Sequence, residues 1–202
     1  QLQPQIDKTL EYEQYTMPVK TFLDSVVMIA GVDGSMAPTY GNGQINYGTS
    51  NYFNNTNGIY SNTYLYPASG SSDAQVIQNV SRGVCFANYT AHGGSDGWVD
   101  PTFDVGDVET LNNAHKYPLK VGNCCLTNKF DDTECFGEAL LRANLKGALG
   151  YIGGSNVSYW DEDYYFGVGY RSSIVVNPTY SASTLGAYDR VFHTHGEPFS
   201  QW

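Results

Sequence analysis

The chain is short of positive charge: its 202 residues hold 10 Lys and Arg against 20 Asp and Glu, a formal net charge of −10. That deficit argues against nucleic acid or an anionic membrane surface as the main partner, since both attract basic patches. Any run of about 18 apolar residues is also absent, so no membrane-spanning helix is expected. The opening QLQPQIDKTLEYEQYT lacks a basic region followed by an apolar stretch and does not read as a signal peptide. A mature or truncated form of an exported protein fits. So does the surface chemistry, with 17 Tyr and 22 Gly beside so few Lys and Arg. Hydrophobic residues make up 41% of the chain, enough for a real core, which excludes a largely disordered protein.

Cysteine is scarce too. The four are Cys85, Cys124, Cys125 and Cys135, and a chain of this length has no need of disulfide staples. Cys85 and Cys135 lie in apolar-looking segments and read as buried free thiols. The adjacent pair in VGNCCLTN bridges poorly to itself, because a disulfide needs Cα atoms roughly 4.4–6.8 Å apart at a specific torsion. A metal pair is more usually spaced C-x₂-C. Two thiols remain, one of them a candidate for reactivity.

Hydrophobic patterning predicts alternating strands and helices. SVVMIAGVD (25–33), VCFANYTAHGG (84–94), YPLKVGNCC (117–125) and ALGYIGGS (148–155) read as buried strands. Helices are expected over IDKTLEYEQYT, DAQVIQNVSRG (stopped by Gly83), VGDVETLNNAH (with Asp104 as N-cap), CFGEALLRANLKG (ending at Gly147) and TLGAYDRVF. Residues 38–72, rich in Gly, Asn, Tyr and Ser, read as mostly loop with a helical turn around 44–54. SYWDEDYYFGVGY reads as an aromatic, acidic loop or helix start. Such alternation predicts an α/β fold with a mostly parallel sheet and right-handed crossovers.

In such sheets functional residues collect beyond the C-terminal ends of the strands. Asp33, His92 and the Cys124–Cys125 pair each fall at a predicted strand end. His92 and the cysteines are one crossover apart, and neighbouring strands lie about 4.8 Å from each other. An imidazole within reach of a thiol lowers its pKa and can protonate a leaving amine. Asp33 could orient that imidazole as the third member of a triad does. The backbone N–H groups of Gly93 and Cys125 are candidates for an oxyanion hole. Spacing alone does not choose between the two cysteines. The competing readings are a turn histidine before Gly-Gly and an aspartate that merely caps a turn.

Several long segments resemble the gingipain family of cysteine peptidases: FANYTAHGG followed by W-x-DP, then VGNCC, CFGEALLRANLKGALGYIGGS and SYWDEDYYFGVG. The similarity runs in the same order from about Asp7 to Phe192 and is nearer the lysine-specific branch than the arginine-specific one. The resemblance implies a caspase-like α/β/α sandwich and an endopeptidase with a Cys–His pair. It assigns Cys125 as nucleophile, His92 as base, Asp33 as the acidic third member, and the Gly93 and Cys125 amides as oxyanion hole. It also implies cleavage after lysine, with arginine second. The carboxylate of Asp163 would receive the P1 ammonium, with Thr90, Tyr159, Trp160 and Asn123 around it. A slot with a carboxylate at its end and rings along its walls suits a lysine, whose methylenes lie on the rings. Without the resemblance, SYWDEDYY would read as a surface aromatic cluster. The GSMAP segment after Asp33 lacks a tryptophan found there in the lysine-specific branch, and the loop after Cys125 is one residue shorter.

No cofactor is needed for this chemistry. The resemblance also implies structural calcium, with Asn128, Phe130 and Glu138 matching the region involved; a solvated charged loop is the competing reading. His115 reads as solvated, and His193 with His195 in FHTHG lacks further ligands for a metal site. N-x-[ST] sequons fall at Asn54, Asn79, Asn88 and Asn156. The resemblance implies a catalytic subdomain over 1–202, incomplete at both ends, whose partners are polypeptide substrates and a preceding subdomain or second chain of the same precursor. Two alternatives stand beside the peptidase: a sortase-like transpeptidase of the type IX secretion system and a non-catalytic binding relative.

Overall fold

Short parallel strands set the frame. In the computed structural model, which describes residues 2–192, β1 is Ser25–Ala30, β2 Tyr60–Tyr64, β3 Phe86–Thr90, β7 Leu119–Asn123 and β8 Gly150–Gly153. These five pair in the order β2-β1-β3-β7-β8, every pair parallel. Three two-residue strands, β4 Gly93–Gly94, β5 Gly97–Trp98 and β6 Phe103–Asp104, form a small antiparallel sheet between β3 and β7. The helices are α1 Gln3–Glu13, α2 Asn42–Asn51, α3 Asp73–Arg82, α4 Val105–Thr110, α5 Phe136–Arg142, α6 Trp160–Val168 and α7 Ala187–Phe192.

The alternation of side chains along β1 explains the three layers. Val27 and Ile29 point into a cluster with Val76 and Val80 of α3, Phe136 and Leu140 of α5, and Trp98. Val26, Met28 and Ala30 point the other way, to Ile45 and Tyr47 of α2, Tyr164 and Val168 of α6, and Tyr188 of α7. A strand buried on both faces must be apolar throughout, which is why SVVMIA could be read directly. The caspase-like sandwich expected above is the fold found.

Residues 38–72 hold more structure than the loop expected of them. A single π-helical turn over Ala37–Gly41 leads into α2, and β2 follows as an edge strand. Neither has a periodic apolar signal. Five residues of α2 are buried, but they are Gly43, Gln44, Ile45, Tyr47 and Gly48, chosen for close approach and hydrogen bonding. YSNTY of β2 is polar because an edge strand with an exposed face gains from the backbone ladder alone. Helix α5 is shorter than expected, ending at Arg142. The buried Lys8 of α1 takes the carbonyls of Leu140 and Lys146, both at 3.1 Å. Asn113 clamps Gly147 from both sides of its amide, and Gly147 turns with φ +87°. The expected cap of α4 is present: Asp104 accepts from the Asp107 N–H and Asp107 returns the bond.

Beneath the small sheet lies an ionisable group with no polar partner. Lys120 of β7 is 0% exposed, and its Nζ has no hydrogen-bond partner among the described residues. It stands 3.6 Å from the Phe103 ring centroid and 4.7 Å from that of Trp98. Burial holds its pKa well below that of an ordinary lysine, with Asp107 pulling weakly the other way. The rings offset part of the desolvation cost, but a depressed lysine pKa destabilises the fold below that pKa, and the cost fades as pH rises towards the ordinary value. Lys120→Met is therefore expected to stabilise the protein by about 1–4 kcal/mol at neutral pH. In thermal melts the gain should shrink between pH 7 and pH 10; a gain independent of pH would contradict a charge-based cost.

Candidate active site

Because every strand of the main sheet runs the same way, the segments leaving β1, β3, β7 and β8 emerge on one edge. Asp33, three residues past β1, is held by its own turn. Its Oδ1 accepts from the Met36 N–H at 2.9 Å, and from the Ser35 N–H and hydroxyl, both at 2.8 Å. Its Oδ2 lies 2.9 Å from His92 Nε2. The Met36 N–H, with help from His92 and Ser35, holds this carboxyl well below the usual carboxylate range. An ionised carboxylate can only accept, so Nε2 carries the hydrogen and Nδ1 of a neutral His92 is the free lone pair.

His92, two residues past β3, is fixed by the small sheet. Its carbonyl accepts from the Tyr89 hydroxyl at 2.7 Å and from the Val99 N–H at 3.1 Å. Tyr89 in turn stacks on Trp98 at 4.8 Å between centroids. The imidazole meets the edge of Trp160 at 5.7 Å. Gly93 lets this segment press on the next one: a β-carbon there would stand 2.6 Å from the Cys125 carbonyl oxygen and 2.7 Å from Cys124 Sγ.

The two cysteines part company at the end of β7. Cys124 is 1% exposed, belongs to the core cluster under α5, and is pushed up in pKa by that burial. Cys125 is half-buried and opens on the cleft. Leu126 turns the chain with φ +64°, a conformation that costs a branched residue on the order of 1 kcal/mol or more. The Leu126 N–H donates to Asn156 at 3.1 Å, anchoring the turn to the segment after β8. All four cysteines are free thiols.

A cleft of about 590 Å³ joins these parts; its lining includes Met36, His92, Cys125, Trp160 and Asp163. Met36 belongs to the GSMAP segment that lacks the tryptophan of the resembled branch. Tyr159 lines the cleft at 66% exposure. Asp163 is only 8% exposed, and burial pushes its carboxyl up to about 7, the hydroxyl of Ser158 pulling down at 3.1 Å and Glu162 pushing up. Thr90 and Asn123 are opposite each other at the ends of β3 and β7. Both are buried beneath the tips and do not line the cleft, and Asn123 Nδ2 has no partner among the described residues.

Ser158 escaped the sequence reading. Its N–H donates to Cys125 Sγ at 3.4 Å, its carbonyl accepts from that thiol at 3.7 Å, and its hydroxyl donates to Asp163. No residue-type signal marks it, because two of the three contacts are main-chain. His115 is paired with Glu11 at 2.7 Å, more than simply solvated. His193 and His195 lie outside the described residues.

In the loop matched to calcium the Glu138 carboxylate already has partners. Both oxygens of Glu138 are engaged, one by the Cys135 N–H and the other by Arg142 at 2.6 Å. Asn128 donates to the Gly153 carbonyl, and Phe130 is an exposed side chain. Among the described residues no three His, Cys, Asp or Glu side chains are grouped so as to hold a metal ion between them. An ion held by the Glu138 carboxylate would have to displace Arg142, and the carbonyl oxygens of Asn128 and Phe130 are the further oxygens a calcium ion would use there.

Comparison with known proteins matches this chain to a family. A model described as peptidase family C25 matches residues 1–199. Lys-gingipain HG66 of Porphyromonas gingivalis is 43% identical over 188 residues, 93% of this chain and 11% of that protein. Gingipain R2 of the same organism is 29% identical over 149 residues, 72% of this chain and 20% of that protein. A structure titled "Structure of Protease" superposes with a TM-score of 0.85 at 41% identity, over 94% of this chain and 42% of that one. The crystal structure of the Arg-specific proteinase gingipain R superposes at 0.66 and 23% identity, covering 81% of this chain and 39% of that one, which speaks to the fold alone. The chain thus spans 11% of the length of the Lys-gingipains it matches.

Proposed function

The chain belongs to peptidase family C25, and from that premise we propose that it carries the catalytic centre of a cysteine endopeptidase that cleaves after lysine. One observation supports the reading above the others. His92, bonded to Asp33 at 2.9 Å, lines the same cleft as the half-buried Cys125 and the buried Asp163. In this reading Nδ1 of His92 takes the Cys125 proton and the thiolate attacks the carbonyl of a peptide bond. Asp33, kept ionised by its turn, stabilises the imidazolium. The N–H groups of Gly93 and Cys125 receive the oxyanion. The C–N bond breaks as His92 protonates the amine, leaving a thioester that water, activated by the same imidazole, hydrolyses.

The lysyl ammonium would pair with Asp163, with Tyr159, Trp160 and Met36 along its stem. A compact ammonium needs one carboxylate, whereas a guanidinium gains from a bidentate fork, so arginine ranks second. Thr90 and Asn123 would act from beneath the pocket. The acidic, Tyr- and Gly-rich composition and family membership support a secreted or cell-surface protein; among the described residues no helix is long and apolar enough to cross a membrane. A neighbouring structure titled as a complex of pro- and mature domains supports a further subdomain of the same precursor as a partner.

Cleavage of a peptide library with every residue at P1 tests this, with a free amine added to half of the samples. Lysine is expected to lead, arginine to follow, and products to be hydrolysed rather than ligated. Ligation as the main outcome would favour a transpeptidase. No cleavage by the protein with its neighbouring subdomains present would favour a binding relative.

A further inference from the structure

We propose that Ser158 is a specificity-determining positioning residue, whose hydroxyl holds the Asp163 carboxylate ready for a P1 ammonium while its main chain fixes the Cys125 sulfur. The proposal rests on the peptidase reading and goes further, because it ties selection and attack to one residue. Ser158 lies between β8 and α6, two residues before the start of that helix. Asp163 stands in the first turn of α6, and its Oδ2 accepts from Ser158 Oγ at 3.1 Å. Asp163 is also held from its main chain, since the carboxamide of the buried Gln44 donates to its carbonyl. The carboxylate is thus presented by a rigid backbone and aimed by a single hydroxyl.

The electrostatics agree. Burial raises the Asp163 carboxyl, Ser158 is the group that lowers it, and Glu162 adds a smaller upward push. Asp161 and His92 face the same cleft, with Cys125 beside them, and Cys124 lies beneath, its own thiol pushed up partly by Asp163. Nothing cationic among these sits at Asp163 in the manner of an ion pair. Removal of the hydroxyl leaves burial unopposed, so a proton is retained to higher pH and an incoming ammonium must displace it.

The test compares Ser158→Ala and Ser158→Thr with the unsubstituted protein. In Ser158→Ala, kcat/KM on a lysyl peptide should fall roughly tenfold, the typical loss for one hydrogen bond to a charged group, and mainly through KM. Its acid limb should move to higher pH, and Ser158→Thr should restore both. The rate of Cys125 alkylation by iodoacetamide should stay the same, because the Ser158 N–H remains. Carbon-13 NMR of the Asp163 carboxyl should show its titration displaced upward in the Ala variant, whether or not any peptide is cleaved. An unmoved Asp163 titration overturns the proposal. So does an alkylation rate that falls as far as kcat/KM, since that places the whole effect on the nucleophile. Failure of the lysine reading itself would look different: no lysyl preference in the unsubstituted protein, with the NMR displacement intact.

Discussion

Cys125→Ala should reduce peptide hydrolysis by about 10⁴-fold or more, the scale on which removal of a catalytic nucleophile acts. Cys124→Ala, one position away, should leave kcat within a few-fold and instead cost about 1–2 kcal/mol of stability, as a small buried side chain removed from a core does. The contrast follows from the end of β7. Cys124 turns into the cluster beneath α5, where burial keeps its thiol protonated. Cys125 emerges into the cleft against Ser158 and faces the same space as His92. A lysyl chloromethylketone gives a direct readout by peptide mapping: the adduct should sit on Cys125 and be absent in Cys125→Ala. An adduct on Cys124 would reverse the assignment of the two thiols.

Asp163→Asn should lower kcat/KM for lysyl peptides by about 10²–10³-fold, the scale of a buried charge left without its partner, and carry a second, opposite effect on stability. Burial raises the carboxyl to about 7, above its value in an unfolded chain. A group raised in this way keeps its proton in the folded state, so its burial costs stability fully above about pH 7, and the cost disappears as pH falls to the ordinary carboxyl range. Asparagine, uncharged throughout, should therefore stabilise the protein by on the order of 2 kcal/mol at pH 8 and by almost nothing at pH 4. Denaturant midpoints at the two pH values check this. The same carboxyl predicts that lysyl cleavage weakens as pH drops below about 7, with the loss in KM. Survival of lysine preference in Asp163→Asn would remove Asp163 from the pocket.

A gain in stability bought with a loss of selectivity is the usual signature of a binding group held in an unfavourable state for its ligand. Lys120 shows the same exposure to burial without a place in the cleft, so its substitution should alter stability and spare specificity. The two variants together separate a buried charge that serves the site from one that does not.

Much of the scaffold could be read from residue order because its strands are buried on both faces. SVVMIA has no polar residue after Ser25 to confuse the reading, and the Gly-x-Asp that follows marks its tip. The small sheet behind His92 could not be read this way: two-residue strands leave no period to detect, and Gly93 serves by lacking a side chain. The edge strand YSNTY was hidden for the opposite reason, since its ladder is made by backbone and its side chains are free to be polar. In the site, strand ends pointed to Asp33 and His92 and left Cys124 and Cys125 undivided. Their burial separates them, and burial is a property of packing rather than of residue type. Asp163 was visible only through resemblance, because an acidic residue among tyrosines has the composition of a surface. Met36 acts through its position and main chain, and Ser158 through a hydroxyl and main chain whose partners only the fold brings to it.

Gly93 carries an implication for how such a site can change over generations. The segment bearing His92 rests against the Cys124–Cys125 backbone through a gap that a single methyl group would close. In the proposed reading, preference for one side chain or another is written in residues 157–163 and in Met36, which lie outside the strands of the sheet. The separation between base and nucleophile is written in a hydrogen atom. If the proposed activity holds, descendants of this chain are free to drift in what they cut, but a lineage that replaced that glycine would have to rebuild the end of two strands to keep base and nucleophile together.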